Sequence, residues 1–405
     1  MTVLSSLVLP LLSTPLVPTT EGEHTWPQWD GPARTGISVE TDWASEGKEK
    51  DLWRVELGLG YSTVSVADGR VYTMGYDREA GLDSVFCLDA LTGETIWQHS
   101  YPSEIWNRAH EGGTVNTPSI DGDVVYSLNR EGNLFCLDGK TGEVVWHNFL
   151  MGDDNAHELE IPVWGFSASP LLVGDDLFVN CGRILSIDKE TGDVLWRSDD
   201  YGHGYGTPIA FELDGEKLLA ATNGEKVCVV NQKDGSEVAS VEFAGKNRGI
   251  NAATPVLIEE NTIFVTSGTL RAGARYALED GELVEVWQNR NMVNSFSGCV
   301  KVGDHLYGFD RQILECIDFE GNSMWSERGI DNGAVLAAGN RLLVMGGSGE
   351  LIVAKASPEA YEVLSNVKLF EEGRFWTKPI LVNGVIYCRN SKGTLVARDH
   401  RTTDF

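Results

Sequence analysis

Basic residues are scarce in this chain: 32 Lys and Arg stand against 60 Asp and Glu, a formal charge of −28. A nucleic-acid reader needs a dominant basic patch, and adhesion to anionic lipid needs the same sign of charge, so the composition argues against both. It describes a strongly solvated surface instead. The seven cysteines include no Cys-Cys or Cys-x-x-Cys pair. His110, His157 and His203 stand isolated, so no His/Cys cluster has zinc spacing and no metal site is expected. Long apolar runs are missing too. Val3–Leu12 is far short of the roughly 20 residues that span a bilayer, so no transmembrane segment is expected. That run has the length of a secretory-signal core, yet no Lys or Arg precedes it, the first being Arg34, and no Ala-x-Ala site follows. Residues 1–24 therefore read as a signal peptide of an exported, periplasmic protein or as the disordered leader of a cytoplasmic one. Lipid attachment near the start has no thiol to use, since the first cysteine is Cys87.

What the chain does have is repetition. Leu88-Asp89-Ala90-Leu91-Thr92-Gly93-Glu94-Thr95-Ile96-Trp97 returns as Leu137–Trp146 and again as Ile187–Trp196. In each copy the Asp precedes the Trp by eight residues with Thr-Gly between them. A period of about 49–50 residues marks stacked supersecondary units, none of which can bury its apolar face alone. An apolar run enters each unit after Thr117-Pro118, Ser169-Pro170, Thr207-Pro208 or Thr254-Pro255. A tight turn follows, at Asp68-Gly69, Asp121-Gly122, Gly174-Asp175, Asp214-Gly215, Glu260-Asn261, Gly303-Asp304, Gly339-Asn340 and Asn383-Gly384, and most of these pairs supply the positive φ a hairpin needs. A β-rich second strand comes next, then a third ending in Leu-Asp or Ile-Asp, then a fourth opened by the Trp. Trp53, Trp97, Trp146, Trp196, Trp287 and Trp325 are read as docking residues that carry one unit onto the next, with Ala239 and Leu364 in the two degraded slots.

Eight turns give eight units. The last, Phe375–Arg398, runs out before a fourth strand, while Leu52-Trp53-Arg54-Val55 is a fourth strand with no preceding three. Joined, the two fragments complete one sheet and close a ring, which removes exposed edges. Spread over eight units the repeats average about 44 residues, the length of a four-stranded blade. The expectation is an all-β, eight-bladed β-propeller of four-stranded antiparallel blades, its ring closed by the N-terminal strand, with seven blades as the competing count. The domain reading is a leader (1–24), a Trp/Gly/Pro-rich prelude docking on the propeller (25–50), the propeller (51–398) and a tail (399–405). Cys87, Cys136 and Cys316 share one slot two residues before the strand Asp, and neighbouring slots lie about 10 Å apart, too far for a disulfide, so these are read as core residues. A single closed ring is expected to be monomeric.

Residues 87–97, 136–146 and 186–196 resemble the Ala-x-Asp-x-x-Thr-Gly-x-x-x-Trp docking motif of the PQQ-like (pyrroloquinoline-quinone-like) propellers, with Cys or Ser in the Ala position. Trp26-Pro27-Gln28-Trp29-Asp30-Gly31-Pro32 is similar to the leader of many propellers of this family. The resemblance covers about residues 51–398 and implies the fold, while one scaffold hosts unrelated functions.

A propeller places its site where loops converge on the central channel. The segments leading into the first strand of each blade offer Tyr61; Arg108, His110 and Glu111; Trp164 and Phe166; His203 and Tyr205; Arg248 and Asn251; Asn294 and Phe296; Asp331 and Asn332; and Arg374 and Trp376. Such a mouth could stack a flat ligand and hold its oxygens, grip a peptide with aromatic and Arg anchors, or simply plug the channel.

Three functional readings follow. The chain is similar to the propeller component of the outer-membrane β-barrel assembly machinery, which implies a non-enzymatic scaffold in the bacterial cell envelope with a protein partner and no cofactor. The family also contains dehydrogenases that oxidise an alcohol or sugar with PQQ and Ca²⁺. That chemistry needs a carboxylate base and hard oxygen ligands, for which Glu111, Asn251, Asn294 and Asp331 are the candidates. Those enzymes' vicinal Cys-Cys pair and long blade insertions are missing here, so no catalytic residue is assigned and the scaffold is preferred. Carbohydrate binding at Trp164, Tyr205 and Trp376 is the third reading.

Overall fold

The computed structural model describes residues 24–107, 110–152, 157–243 and 250–402. Among them the strands form eight sheets, each with a four-stranded antiparallel meander, and the architecture is an eight-bladed β-propeller. The innermost strands of blades one to eight are Ser65–Ala67, Ser119–Asp121, Leu171–Val173, Ile209–Leu213, Val256–Glu259, Val300–Val302, Ala334–Ala338 and Ile380–Val382. The middle strands are buried on both faces against neighbouring blades and are mostly apolar, as in Val385–Arg389, which is buried along its whole length. Outer strands alternate, as in Thr95–Pro102. The core is therefore distributed between blades. Tyr72, Met74 and Trp97 of blade one pack with Val125, Phe135 and Leu137 of blade two. No helix among the described residues is long and apolar enough to cross a membrane.

The repeat motif has a direct mechanical meaning. Asp89 Oδ1 accepts from the backbone N–H of Leu91 and Thr92 and from the Thr92 hydroxyl, and Asp138 is bonded in the same way to Lys140 and Thr141. The turn ends on Gly93, Gly142 or Gly192, with φ of 74°, 74° and 81°. A Cβ on these glycines would sit 2.6, 2.6 and 2.5 Å from the indole of Trp53, Trp97 and Trp146 respectively, the tryptophan of the preceding blade. Glycine is thus required twice, by the backbone and by the ring lying on it. The indole N–H then crosses to a carbonyl of that next blade: Trp53 to Ala90 (3.0 Å), Trp97 to Gly139 (2.9 Å), Trp146 to Lys189 (2.8 Å), Trp287 to Phe319 (2.7 Å) and Trp325 to Ser357 (2.8 Å).

In every blade the pairing of third and fourth strands skips one residue just before the docking position: Leu52, Ile96, Val145, Leu195, Val238, Val286, Met324 and Leu364. Such a bulge re-aims the next side chain. It also corrects one assignment, because in blade seven Leu364 is the skipped residue and Ser365 stands opposite Val353 in the docking slot. Ser365 donates its hydroxyl to the Ser45 carbonyl at 2.6 Å.

The Thr-Pro and Ser-Pro signals are inter-blade links. The backbone N–H of Thr63 donates to Thr117 Oγ1, that of Thr117 to Ser169 Oγ, and that of Ser169 to Thr207 Oγ1, at 3.1, 2.9 and 2.9 Å. The seam lies in blade eight, where Asp51–Glu56 pairs antiparallel with Thr394–Asp399. Buried Arg389 bridges the seam to blade one, donating to the carbonyls of Ser62, Gly58 and Met74 and to Thr73 Oγ1. All seven cysteines are buried and free, and burial pushes the thiols of Cys87 and Cys136 up to about 11 and that of Cys316 up to about 12.

The prelude does more than lean on one blade. Trp26 pairs its backbone with Val66 of blade one, and Pro27 accepts from Ile120 of blade two. Gln28 binds the Leu172 backbone of blade three through both amide atoms, at 2.8 and 3.1 Å. The Trp29 indole donates to Thr254 Oγ1 of blade five at 2.9 Å. Ile37–Ser38 adds a parallel strand to blade seven. Asp30 is ion-paired with Lys378 of blade eight, both buried. The segment therefore crosses the end of the channel.

Trp146→Ala should destabilise the protein by about 3–5 kcal/mol, as for a large core truncation, and Gly192→Ala, which drives a methyl into the same indole, should also destabilise clearly. Chemical denaturation measures both. A near-neutral result for either would remove the docking contact from its structural role.

Candidate functional site

The connections into the inner strands surround a cavity of about 350 Å³ at the mouth of the channel. Trp29 of the prelude is its floor. Tyr61, His110, Trp164, Tyr205, Phe296 and Trp376 line its walls, together with the hydroxyl residues Ser167, Ser169, Thr207, Thr254, Thr269 and Ser295. The channel is a blind cup because the prelude fills the other end.

The aromatic side chains form a continuous belt. Phe296 stacks on Trp376 (centroids 4.2 Å, 23°), and Trp376 on Tyr61 (5.1 Å, 18°). Tyr61 meets His110 edge-on (5.2 Å, 87°), and His110 lies 5.3 Å from Trp164. These offset and edge-to-face arrangements are the favoured ones and stiffen the mouth. At its rim the Tyr61 hydroxyl donates to Glu111 Oε2 at 2.8 Å and Arg374 Nε to the same oxygen at 3.2 Å. The Arg374 guanidinium also lies 5.1 Å from the Trp376 ring centre.

Burial alone would raise the Glu111 carboxyl, but the Tyr61 bond and the Arg374 charge outweigh it and hold it below the ordinary value. Burial, then hydrogen bonding to Glu111, raises the Tyr61 phenol. Burial pushes the Tyr205 phenol up to about 12. Burial first and the Arg374 charge second depress His110, whose Nδ1 accepts from the Gly112 N–H at 3.1 Å. The imidazole is thus neutral, with its proton on Nε2.

Of the residues expected at the mouth, Tyr61, His110, Glu111, Trp164, Tyr205, Arg374 and Trp376 are brought together there. Arg108 and Arg248 lie outside the described residues. His203 contacts Tyr205 edge-on at 6.3 Å but is not part of the cup wall. Asn251 is buried, its amide donating to the carbonyls of Asn223 (2.7 Å) and Phe243 (2.9 Å). Buried Asn294 donates to the Gly298 carbonyl (2.8 Å) and accepts the Phe296 N–H (3.0 Å), so it positions a wall residue. Asp331 sits in a separate depression beside Arg311 and Arg328, with φ 59°. Phe166 is core.

Glu111, Asn251, Asn294 and Asp331 therefore do not converge, and as a set they do not fit a cation-held quinone. Asn294 is spent on backbone through both amide atoms and Asn251 through its amide nitrogen, its buried Oδ1 having no partner, while Glu111 is spent on Tyr61 and Arg374. No group of three or more His, Cys, Asp or Glu among the described residues could hold a metal ion. Sequence reasoning had missed Trp29 as the floor and the hydroxyl ring beneath the mouth. The signal for both was present in the Trp-x-x-Trp leader and the Thr-Pro slots.

A profile of the family described as outer membrane protein assembly factor BamB matches residues 82–327. Among solved structures, BamB from Moraxella catarrhalis superposes with a TM-score of 0.63 at 16% identity, over 88% of this chain and 99% of that one. Quinohemoprotein alcohol dehydrogenase from Comamonas testosteroni superposes with a TM-score of 0.69 at 13% identity, over 94% of this chain and 81% of that one. The computationally designed Ika8 protein gives a TM-score of 0.59 at 15% identity, over 86% and 99%. At these identities the likeness concerns the fold. No curated protein matches the sequence.

A His pKa depressed by folding contributes stability that is present above the unfolded value of 6.5 and lost as pH falls through the lower folded value. His110 should therefore titrate below 6.5 by NMR, and His110→Gln should flatten the corresponding loss of stability in mild acid. A His110 midpoint at or above 6.5 would contradict the packing described.

Proposed function

Because the chain belongs to the PQQ-type propeller family described as outer membrane protein assembly factor BamB, we propose that it is a non-enzymatic scaffold of the bacterial cell envelope that offers its mouth face to a protein partner. The carrying observation is the mouth itself: a preformed aromatic cup whose rim carboxylate, Glu111, is already bound by Tyr61 and Arg374. A general base needs a carboxylate free to take a proton near neutral pH, and Glu111 is held below the ordinary value by those partners. Aromatic residues and Arg are the side chains that anchor protein interfaces, and here Arg374, Trp376, Tyr61 and Trp164 form one connected patch. The acidic surface keeps the ring soluble and leaves a patch of this kind as the specific feature. The family description also supports an envelope setting, with residues 1–24 as the export signal.

Mild crosslinking followed by affinity capture from the native host should recover a partner with the wild-type protein and lose it with Trp376→Ala or Arg374→Glu, both variants melting as the wild type does. Undiminished capture by both variants would overturn this use of the mouth. The rival quinoprotein reading is checked by titrating the purified protein with PQQ and Ca²⁺. The expected result is no saturable shift in melting temperature. A saturable shift with a changed quinone spectrum would restore the dehydrogenase.

A further inference from the structure

We propose that the cup behind this mouth binds a neutral saccharide ring, an inference that rests on the mouth being the binding face. The cavity, about 350 Å³ and closed at one end by Trp29, lies within the range of small-molecule sites and admits a ring or two rather than a helix or folded segment.

Among the described residues, the two cations that lie over its rings stand in closed pairs. Lys378 lies 5.1 Å from the Trp29 ring centre and is ion-paired with Asp30, while Arg374 lies 5.1 Å from the Trp376 ring centre and is ion-paired with Glu111. An anionic ligand would have to compete with Asp30 or Glu111 for its cation. A cationic ligand, the usual occupant of an aromatic cage, meets rings that already carry a cation. A charge left unpaired in such a cup is costly, which leaves a neutral ligand.

The remaining surface decides its chemistry. The cup's lining sets the hydroxyl residues Ser167, Thr269 and Ser295 among the aromatic side chains of Tyr61, Trp164, Phe296 and Trp376. A purely apolar ring would desolvate those polar groups without replacing their bonds. A pyranose has C–H faces that pack on indole and phenol rings, and hydroxyl edges that bond to the O–H groups between them.

The full-length protein would be titrated, by tryptophan fluorescence and calorimetry, with maltotriose, cellotriose and N-acetylated chitotriose, and in parallel with trigalacturonic acid, choline and a Trp-rich peptide. Saturable binding of a neutral trisaccharide is expected. Trp164→Ala should weaken it about tenfold, equivalent to about 1.4 kcal/mol, and Ser295→Ala should weaken it less. Trp376→Phe should keep most of the binding, and Asp331→Asn, outside the cup, should bind as the wild type does. Binding of trigalacturonic acid, choline or the peptide in preference to every neutral sugar would overturn the inference, as would no response to any saccharide. If sugars fail while Trp376→Ala still loses the captured partner, the saccharide inference alone falls. If Trp376→Ala changes neither sugar binding nor capture, both readings fall.

Discussion

The indole N–H of one blade bonded to a turn carbonyl of the next is the contact on which the rest of this structure depends. No blade has a core of its own. A single four-stranded sheet leaves two apolar faces, and stacking is the only way to bury both. The stack must also be held at a fixed angle, or it would not return on itself. At the five junctions that carry the bond, one ring, one turn and one hydrogen bond set that angle, and each element of the motif serves it. The Asp builds the turn, the Thr-Gly step brings the backbone onto the indole face, and the skipped residue in the fourth strand turns the Trp toward its neighbour. The aromatic of the second strand supports the same point: Tyr72 and Trp97 both donate to the Gly139 carbonyl.

Closing such a ring leaves a channel, and this chain fills one end of it with its own prelude. Fastening a Trp/Gly/Pro-rich strand across several blades uses backbone bonds, the Gln28 amide and a buried ion pair rather than bulk apolar packing. A buried pair is weak evidence for stability, since both ions lose hydration. Its position matters more: Asp30 and Lys378 fix where the Trp29 ring lies, and so set the depth of the cup. Blade packing and site are thereby coupled, because the segment that ties several blades together also provides the floor of the cavity.

Much of the architecture was legible in the chain because the repeat is periodic and local. Asp89, Gly93 and Trp97 lie within a dozen residues, Gly93 meeting the preceding blade and Trp97 the next, so their spacing carries the blade, its hairpin and its docking contacts without three-dimensional information. The same logic failed by one residue in blade seven, where Leu364 was read into the slot that Ser365 fills, because a bulge is a property of pairing and leaves no mark on a degraded repeat.

The mouth was legible in part, and for a different reason. The sequence determined that bulky and charged residues precede each inner strand, and the ring geometry then guaranteed that they face one axis. It could not determine which of them reach it. Asn251 and Asn294 turn back to bond backbone, Asp331 adopts a left-handed backbone in a separate depression, and Trp29 comes into the cavity from the far end of the chain. Those outcomes depend on competition among hydrogen-bond partners brought together only when the ring closes. The sequence by itself determined the fold, because each repeat encodes its own contact. Tertiary structure alone decided the site, because its residues come from separate blades and the prelude, and share no local rule.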